Sequence, residues 1–184
     1  MSMRPCRSSL LKDTRAAAAA EFALILPMAF ALIFGTMEAG YYFQTEHKAA
    51  KYVREGARYA SRMNFGYFDC SGTGAMQEAG TTGAETLANV QSDIREVTLY
   101  GRPIVSGETT PGPRIADWEP GDVNLTIACD TAYGTGLYAG TDDVAAPIIT
   151  VSTRFSYTPI LGLLGFDVRG IDVVAQAQAA VGGL

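Results

Sequence analysis

The feature that most constrains the fold of this chain is an apolar run near its N-terminus, residues 17–37, which contains a single charged residue, Glu21. As a helix these 21 residues are long enough to cross a bilayer, at about 1.5 Å per residue. Pro27 removes one backbone hydrogen bond, an interruption that transmembrane helices tolerate. An Asp, Lys or Arg at the centre of such a helix costs roughly 2.5–3.5 kcal/mol on the mildest scale, so an intramembrane charge indicates a functional partner. We therefore predict a transmembrane helix with a functional acid near its start.

The charge is distributed unevenly along the chain. Residues 1–16 carry four basic side chains and Asp13, a net charge of +3, so the total of −5 leaves −8 for the rest. A basic flank followed by an apolar run places the N-terminus in the cytoplasm and the remainder across the membrane. The acidic balance argues against a nucleic-acid partner, which requires a clustered basic face.

Changes of composition divide the chain into four segments. Residues 1–16 are polar and basic without periodicity, and they are interpreted as a leader. Residues 17–37 form the transmembrane segment, residues 38–62 continue the helix as an amphipathic segment, and residues 63–184 form a head. In the amphipathic segment, apolar side chains recur at helical intervals at Tyr42, Ala49, Val53, Ala57 and Ala60.

On the polar side of this helix, the spacing of Lys51, Glu55 and Arg58 predicts surface ion pairs of Glu55 with each basic neighbour. We expect the helix to continue to Ser61.

The head has the pattern of a small α+β domain. A loop is predicted over residues 64–83, which are rich in Gly, Ser and Thr, and a short helix over residues 85–97. Alternating apolar and polar residues predict strands over residues 123–129, 149–157 and 171–179, with their odd-numbered side chains, including Ile171, facing inward. Such alternation indicates an antiparallel sheet of about three strands with one face buried, and the amphipathic helix is its natural cover.

The chain contains three cysteines, Cys6, Cys70 and Cys129. If the leader stays in the cytoplasm, Cys70 and Cys129 remain as a pair in an oxidising compartment, which favours a disulfide between them. Two unpaired buried thiols are the alternative.

Two stretches carry a resemblance to a known family. A basic leader, a small residue, a Glu five positions later and an apolar helix resemble type IV pilins. The run Ala17–Pro27 (AAAAEFALILP), followed by Arg54–Ala60 (REGARYA), resembles the TadE family, the pseudopilins of the Flp (tight adherence, Tad, type IVc) pilus system. Tyr157–Leu164 is also similar to that family, whereas the middle of the chain is not matched.

The resemblance implies a pilin-like fold and a processing step. A membrane aspartyl peptidase, the prepilin peptidase, would cut between Ala16 and Ala17, where the family usually has Gly at the position of Ala16. The new amine of Ala17, with an ordinary pKa of about 7.7–8.0, would be cationic and would pair with Glu21 of a neighbouring subunit. Glu21 and Phe22 are therefore the expected assembly residues. The alternative for Glu21 is a favourable interaction with the helix dipole.

The implied function is that of a minor pseudopilin required for assembly of pili used in adherence and biofilm formation. The implied location is the bacterial inner membrane, as a single-pass protein with its head in the periplasm. Its partners would be the prepilin peptidase, other pilin and pseudopilin subunits, the inner-membrane assembly platform and membrane lipid. The alternative is a permanently anchored periplasmic binding or adhesin domain; entry into the filament is left open.

No pattern indicates an enzyme, a cofactor or a metal site. His47 is the only histidine, and it falls on the polar side of the helix. The glycines of residues 134–140 lack the spacing of a phosphate loop, and Asp142 and Asp143 are interpreted as turn residues. The apolar segment 160–166 is either a helical turn that closes the base of the head or a contact patch for another subunit or the membrane.

Overall fold

The computed structural model describes residues 14–70, 75–76, 87–130, 146–164 and 170–182. The helices are α1 (Thr14–Ala60) and α2 (Leu87–Tyr100), and the strands are β1 (Phe68–Asp69), β2 (Ala75–Met76), β3 (Val123–Asp130), β4 (Ala146–Ser156) and β5 (Asp172–Ala180). Short 3-10 turns cover Phe65–Tyr67, Pro120–Asp122 and Ile160–Leu164. The chain forms two compact units, Met1–Tyr41 and Tyr42–Leu184.

Helix α1 is continuous over 47 residues and contains Pro27. It begins three residues before the predicted start, and the predicted end at Ser61 is one residue too late. The helix tightens at that end, because the amide of Arg62 bonds to the carbonyl of Tyr59 and that of Met63 bonds to Ala60, both at 3.1 Å.

The predicted α+β arrangement is confirmed, with a three-stranded antiparallel sheet in the order β3-β4-β5. The register places Val123 opposite Thr153 and Thr153 opposite Ala175, so the odd-numbered residues share one face, as predicted. Ile171 is the exception, because it precedes β5 at the end of the sheet and is 40 % exposed.

The core of the second unit lies between this inner face of the sheet and the two helices. The predicted stripe of α1 is buried from Ala49 onward, with Ala49, Val53 and Ala60 at 0 % exposure, whereas Tyr42 at its start is half-buried. Trp118 is buried in the connection between α2 and β3, where its indole N–H donates to the hydroxyl of Thr153 at 2.7 Å. The centroid of its ring lies 5.5 Å from that of Phe155, and the ring is stacked on Tyr52.

Two predictions from local composition need correction. The helix predicted over residues 85–97 extends to Tyr100, and Thr98 and Leu99 are fully buried near its end; residues 85–86 lie outside the described part. The glycine-rich stretch predicted as loop contains a small ribbon in which Phe68 pairs with Met76. Each strand of this ribbon has two residues, too few for an alternating pattern to predict it.

The cysteine pair favoured by the sequence is bonded in the structure. Cys70, immediately after β1, forms a disulfide with Cys129 of β3, with a Cα–Cα distance of 5.5 Å. The bond therefore ties the ribbon to the edge of the three-stranded sheet.

Candidate functional site

The first unit carries an apolar helical surface that is exposed on every side. Phe22 is 64 % exposed, Leu24 78 % and Met28 70 %, and the large side chains onward to Met37 are also exposed. The most apolar 18-residue window of α1 has a mean hydropathy of 2.1, and none of it is buried. By length and composition, α1 could therefore cross a membrane once.

Glu21 is the one acidic residue of the apolar stretch at residues 17–37. It is exposed, and it follows Ala17 by four positions, a rise of about 6 Å or roughly one helical turn. The structure thus places Ala17, Glu21 and Phe22 on neighbouring turns of the same helix. Ala16 also lies within α1, but its side chain is outside the described part.

The position of Glu21 bears on the helix-dipole alternative. The first turn of α1 begins at Thr14 and contains no acidic residue. The interaction of a carboxylate with the helix dipole falls off within the first turn. Glu21 lies in the second turn even of a helix that starts at Ala17, so the dipole gives little reason to place an acid at this position.

Farther along α1, in the second unit, Gly56 approaches α2 closely. A Cβ atom added at Gly56 would lie 2.0 Å from the side-chain oxygen of Thr98. That hydroxyl is buried and donates to the carbonyl of Ile94 at 2.7 Å. Only glycine therefore fits where the two helices cross. This explains why glycine is the central residue of the Arg-Glu-Gly-Ala-Arg run at residues 54–58.

Glu55 and Tyr52 attach α1 to the connection after α2. The guanidinium of Arg114 is ion-paired with Glu55, and it lies 4.5 Å from the centre of the Tyr52 ring. The backbone of the same arginine donates to the carbonyl of Leu99 at 3.0 Å. Gly101, at a φ of +91°, leaves the space that the Arg114 side chain occupies.

The ion pairs predicted on the surface of α1 are correct in one case. Lys51 lies 3.9 Å from Glu55, as predicted. The described contacts of Glu55 pair it with Arg114 rather than with Arg58, because the guanidinium of Arg114 reaches it from the connection 59 residues away. The spacing along one helix could not reveal that competitor.

The remaining candidates are placed as follows. His47 is exposed on α1, and within the described ranges no group of three His, Cys, Asp or Glu residues is arranged to hold a metal ion. Residues 134–140, Asp142 and Asp143 lie outside the described part. Ile160 and Leu161 are half-buried in a 3-10 turn, and the side chains of residues 163–166 lie outside the described part, so both alternatives for this segment stand.

Residues 16–58 match the family model of TadE-like proteins. The matched segment contains Glu21 and Gly56 and lies within α1, so the resemblance is confirmed over this part of the chain. TadE-like proteins are pilus components, which interact with other pilus proteins, and they are not a known enzyme family. No curated protein matches the chain. No solved structure matches it either.

Proposed function

We propose that this chain is a minor pseudopilin of a Flp/Tad pilus, made as a single-pass inner-membrane protein and seated among other pilin and pseudopilin helices by α1. The observation that carries this proposal is Glu21, the only charge in the exposed apolar stretch of α1 at residues 17–37. This stretch lies inside the segment that matches TadE-like proteins, residues 16–58. The basic leader supports an orientation with the N-terminus in the cytoplasm and the second unit in the periplasm.

Processing is the first step of the proposed pathway. The prepilin peptidase cuts between Ala16 and Ala17 and leaves a mature chain of 168 residues from the original 184. The cut exposes an α-amine at Ala17, which is largely cationic at neutral pH because its ordinary pKa is about 7.7–8.0. The assembly platform in the inner membrane then transfers α1 from lipid to the neighbouring subunits.

Seating is the second step. The Ala17 amine of one subunit approaches the Glu21 carboxylate of its neighbour, so two charges that are costly in hydrocarbon compensate each other. An ion pair of this kind contributes little net stability, but loss of one partner leaves an uncompensated buried charge at a cost of about 3–5 kcal/mol. Glu21 therefore selects the axial register at which subunits join, and Phe22 packs beside it.

The test combines protein chemistry with piliation. Mass spectrometry of the chain from native membranes is expected to find Ala17 as the N-terminus when the peptidase is present and Met1 when it is absent. Glu21→Gln keeps the size of the side chain and removes its charge, and it is expected to leave cleavage intact while reducing assembled pili at least tenfold. Glu38→Gln, at the end of the apolar run on the same helix, is the matched control and is expected to preserve piliation.

Two outcomes contradict the proposal. A native chain that still begins at Met1 in cells with an active peptidase would indicate a permanent anchor, as in a tethered binding or adhesin domain. Normal piliation by Glu21→Gln would show that the carboxylate does not seat the subunit.

A further inference from the structure

Strand β5 presents one edge that no described strand pairs with. At its two ends, the Tyr157 amide donates to the carbonyl of Ile171, and the Val181 amide donates to the carbonyl of Pro147, both at 2.9 Å. Backbone groups alternate in direction along a strand, so the odd-numbered residues of this segment bond to β4. The even-numbered residues from Val174 to Ala180 consequently direct their amides and carbonyls away from β4.

Tyr42 of α1 and Ser61, the residue that follows α1, each contact one end of this edge. The hydroxyl of Tyr42 donates to the carbonyl of Asp172 at 3.4 Å, and the amide of Gly182 donates to the carbonyl of Ser61 at 2.8 Å. Between these two contacts lie the outward backbone groups of Gln176 and Gln178. Unpaired edge groups of this kind are a template for pairing with another extended chain.

A groove runs between α1 and this edge. It contains an open cavity of about 260 Å³ that is lined by Arg54, Ala57, Arg58, Ser61, Ala177, Gln178 and Ala179. The small side chains of Ala57 on the α1 side and of Ala177 and Ala179 on the β5 side leave room for the backbone of another chain to approach. Arg54 and Arg58 are exposed at the rim, and the ion pairs of the described residues involve neither.

We infer that this edge groove, between α1 and β5, binds an extended acidic segment of a partner protein, which adds to the sheet as a strand beside β5. The two arginines lie one helical turn apart, about 6 Å. Alternate side chains of a strand are spaced at about 6.6 Å, so two carboxylates on one face of the added strand meet both guanidinium groups. Main-chain pairing supplies affinity and the arginines supply selectivity for acidic sequences.

The charge distribution favours this occupant over two others. A second copy of the chain paired edge to edge would bring the Arg54 and Arg58 groups of both copies together, which is repulsive. A lipid headgroup would meet the arginines but would leave the backbone groups of β5 unpaired. The inference does not depend on leader cleavage, so it stands apart from the proposed function.

The test uses the full chain in micelles of a neutral detergent and a fluorescent peptide of alternating glutamate and valine. Binding is measured by anisotropy, with a peptide of alternating glutamine and valine as the uncharged control. Arg54→Gln/Arg58→Gln is expected to weaken binding of the acidic peptide about tenfold, the effect of two exposed charge pairs. Lys48→Gln/Lys51→Gln removes the same charge from the same helix and is expected to change binding by less than about twofold.

Strand addition itself is read by amide exchange. Binding of the acidic peptide is expected to slow exchange at Gln176 and Gln178, whose amides face the edge, and to leave Ala177, which bonds to β4, unchanged. Gln178→Pro removes an edge donor without removing a bond to β4 and is expected to weaken binding at least tenfold. If this variant does not fold, the exchange pattern of the unsubstituted chain decides.

Three outcomes overturn the inference. One is equal loss of peptide binding in the arginine and lysine double variants, and another is no protection at Gln176 and Gln178. The third is a different occupant of the groove. A lipid headgroup would be shown by arginine-dependent binding to phosphatidylglycerol vesicles without peptide binding, and a second copy of the chain by dimerisation through β5 that the peptide does not displace.

Discussion

The close approach at Gly56 makes a quantitative prediction about the second unit. Replacing Gly56 by Ala puts a methyl group 2.0 Å from the hydroxyl oxygen of Thr98, against an ordinary contact distance of at least 3.4 Å. Thr98 is fully buried, and its hydroxyl is held by the carbonyl of Ile94, so it cannot turn away without losing that bond. The substitution must therefore either separate α1 from α2 or break the hydrogen bond.

The expected loss follows from two opposing terms. Overpacking of a core costs about 1–3 kcal/mol. Replacing Gly by Ala inside a helix contributes about 0.5–1 kcal/mol in the other direction. The net destabilisation of Gly56→Ala is then about 0–2.5 kcal/mol, with a midpoint of about 1 kcal/mol. Each kcal/mol lowers the Tm by about 4 °C for a unit of this size.

The assay is thermal unfolding of the full chain in detergent, followed by the fluorescence of Trp118. It is the only tryptophan and is 2 % exposed, so its emission reports on this core. Gly40→Ala is the matched control, because a Cβ at that helical position meets nothing within 4 Å, and it is expected not to lower the Tm.

A double variant separates the clash from other causes. Thr98→Ala removes the hydroxyl, so adding Gly56→Ala to that background is expected to cost no further stability. An equal loss in both backgrounds would show that contact with Thr98 is not the cause. A rise in Tm for Gly56→Ala alone would refute the close crossing of the two helices.

Three further predictions address the rest of the second unit. Trp118→Phe leaves the buried hydroxyl of Thr153 without its donor and is expected to cost about 1–3 kcal/mol in urea unfolding followed by circular dichroism, part of which Thr153→Val restores in the double variant. Cys70→Ser/Cys129→Ser opens a link between residues 59 positions apart and is expected to lower the free energy of unfolding by up to about 4 kcal/mol, whereas Cys6→Ser, in the predicted leader, is expected to leave it unchanged. The hydrogen bond from Arg102 lowers the pKa of Glu108. The pair therefore stabilises the folded state fully above the ordinary glutamate pKa of about 4.3, and this stabilisation is lost as the pH falls through the lower pKa of the folded state. An NMR titration is expected to show that the Glu108 pKa rises in Arg102→Gln. A Glu108 pKa that does not respond to Arg102→Gln would contradict the last of these.

The periodic spacing of apolar residues was enough to predict the helix and strands that bury one face and expose the other. The stripe of α1 and the inward odd-numbered residues of the sheet repeat over enough positions to reveal their helix and strands. The strand predicted from residue 149 begins three residues too late, because proline, here Pro147, is disfavoured inside a strand. Pro147 is accommodated because the register needs only its carbonyl, which accepts from Val181 at the end of β5.

The contacts that tie α1 to its surroundings could not be predicted in the same way. Thr98 lies 42 positions after Gly56, and Arg114 lies 59 positions after Glu55, so neither contact leaves a local repeat in the sequence. The glycine of the family-like run was visible, but the reason for it depends on a helix crossing that only the fold supplies. The edge groove likewise combines residues of α1 and β5, which belong to opposite ends of the chain.

The change of pattern along α1 explains how one helix can serve two environments. Up to Met37 none of its large apolar side chains is buried and all but the half-buried Leu26 are exposed, which is typical of a helix surrounded by lipid or by other helices. From Thr45 onward one stripe is buried and the other side chains of the helix are mainly polar. The buried residues of the described core all come from position 45 or later. Moving the apolar part of α1 from lipid to neighbouring subunits therefore removes no side chain from that core, so the proposed assembly step requires no refolding of the second unit.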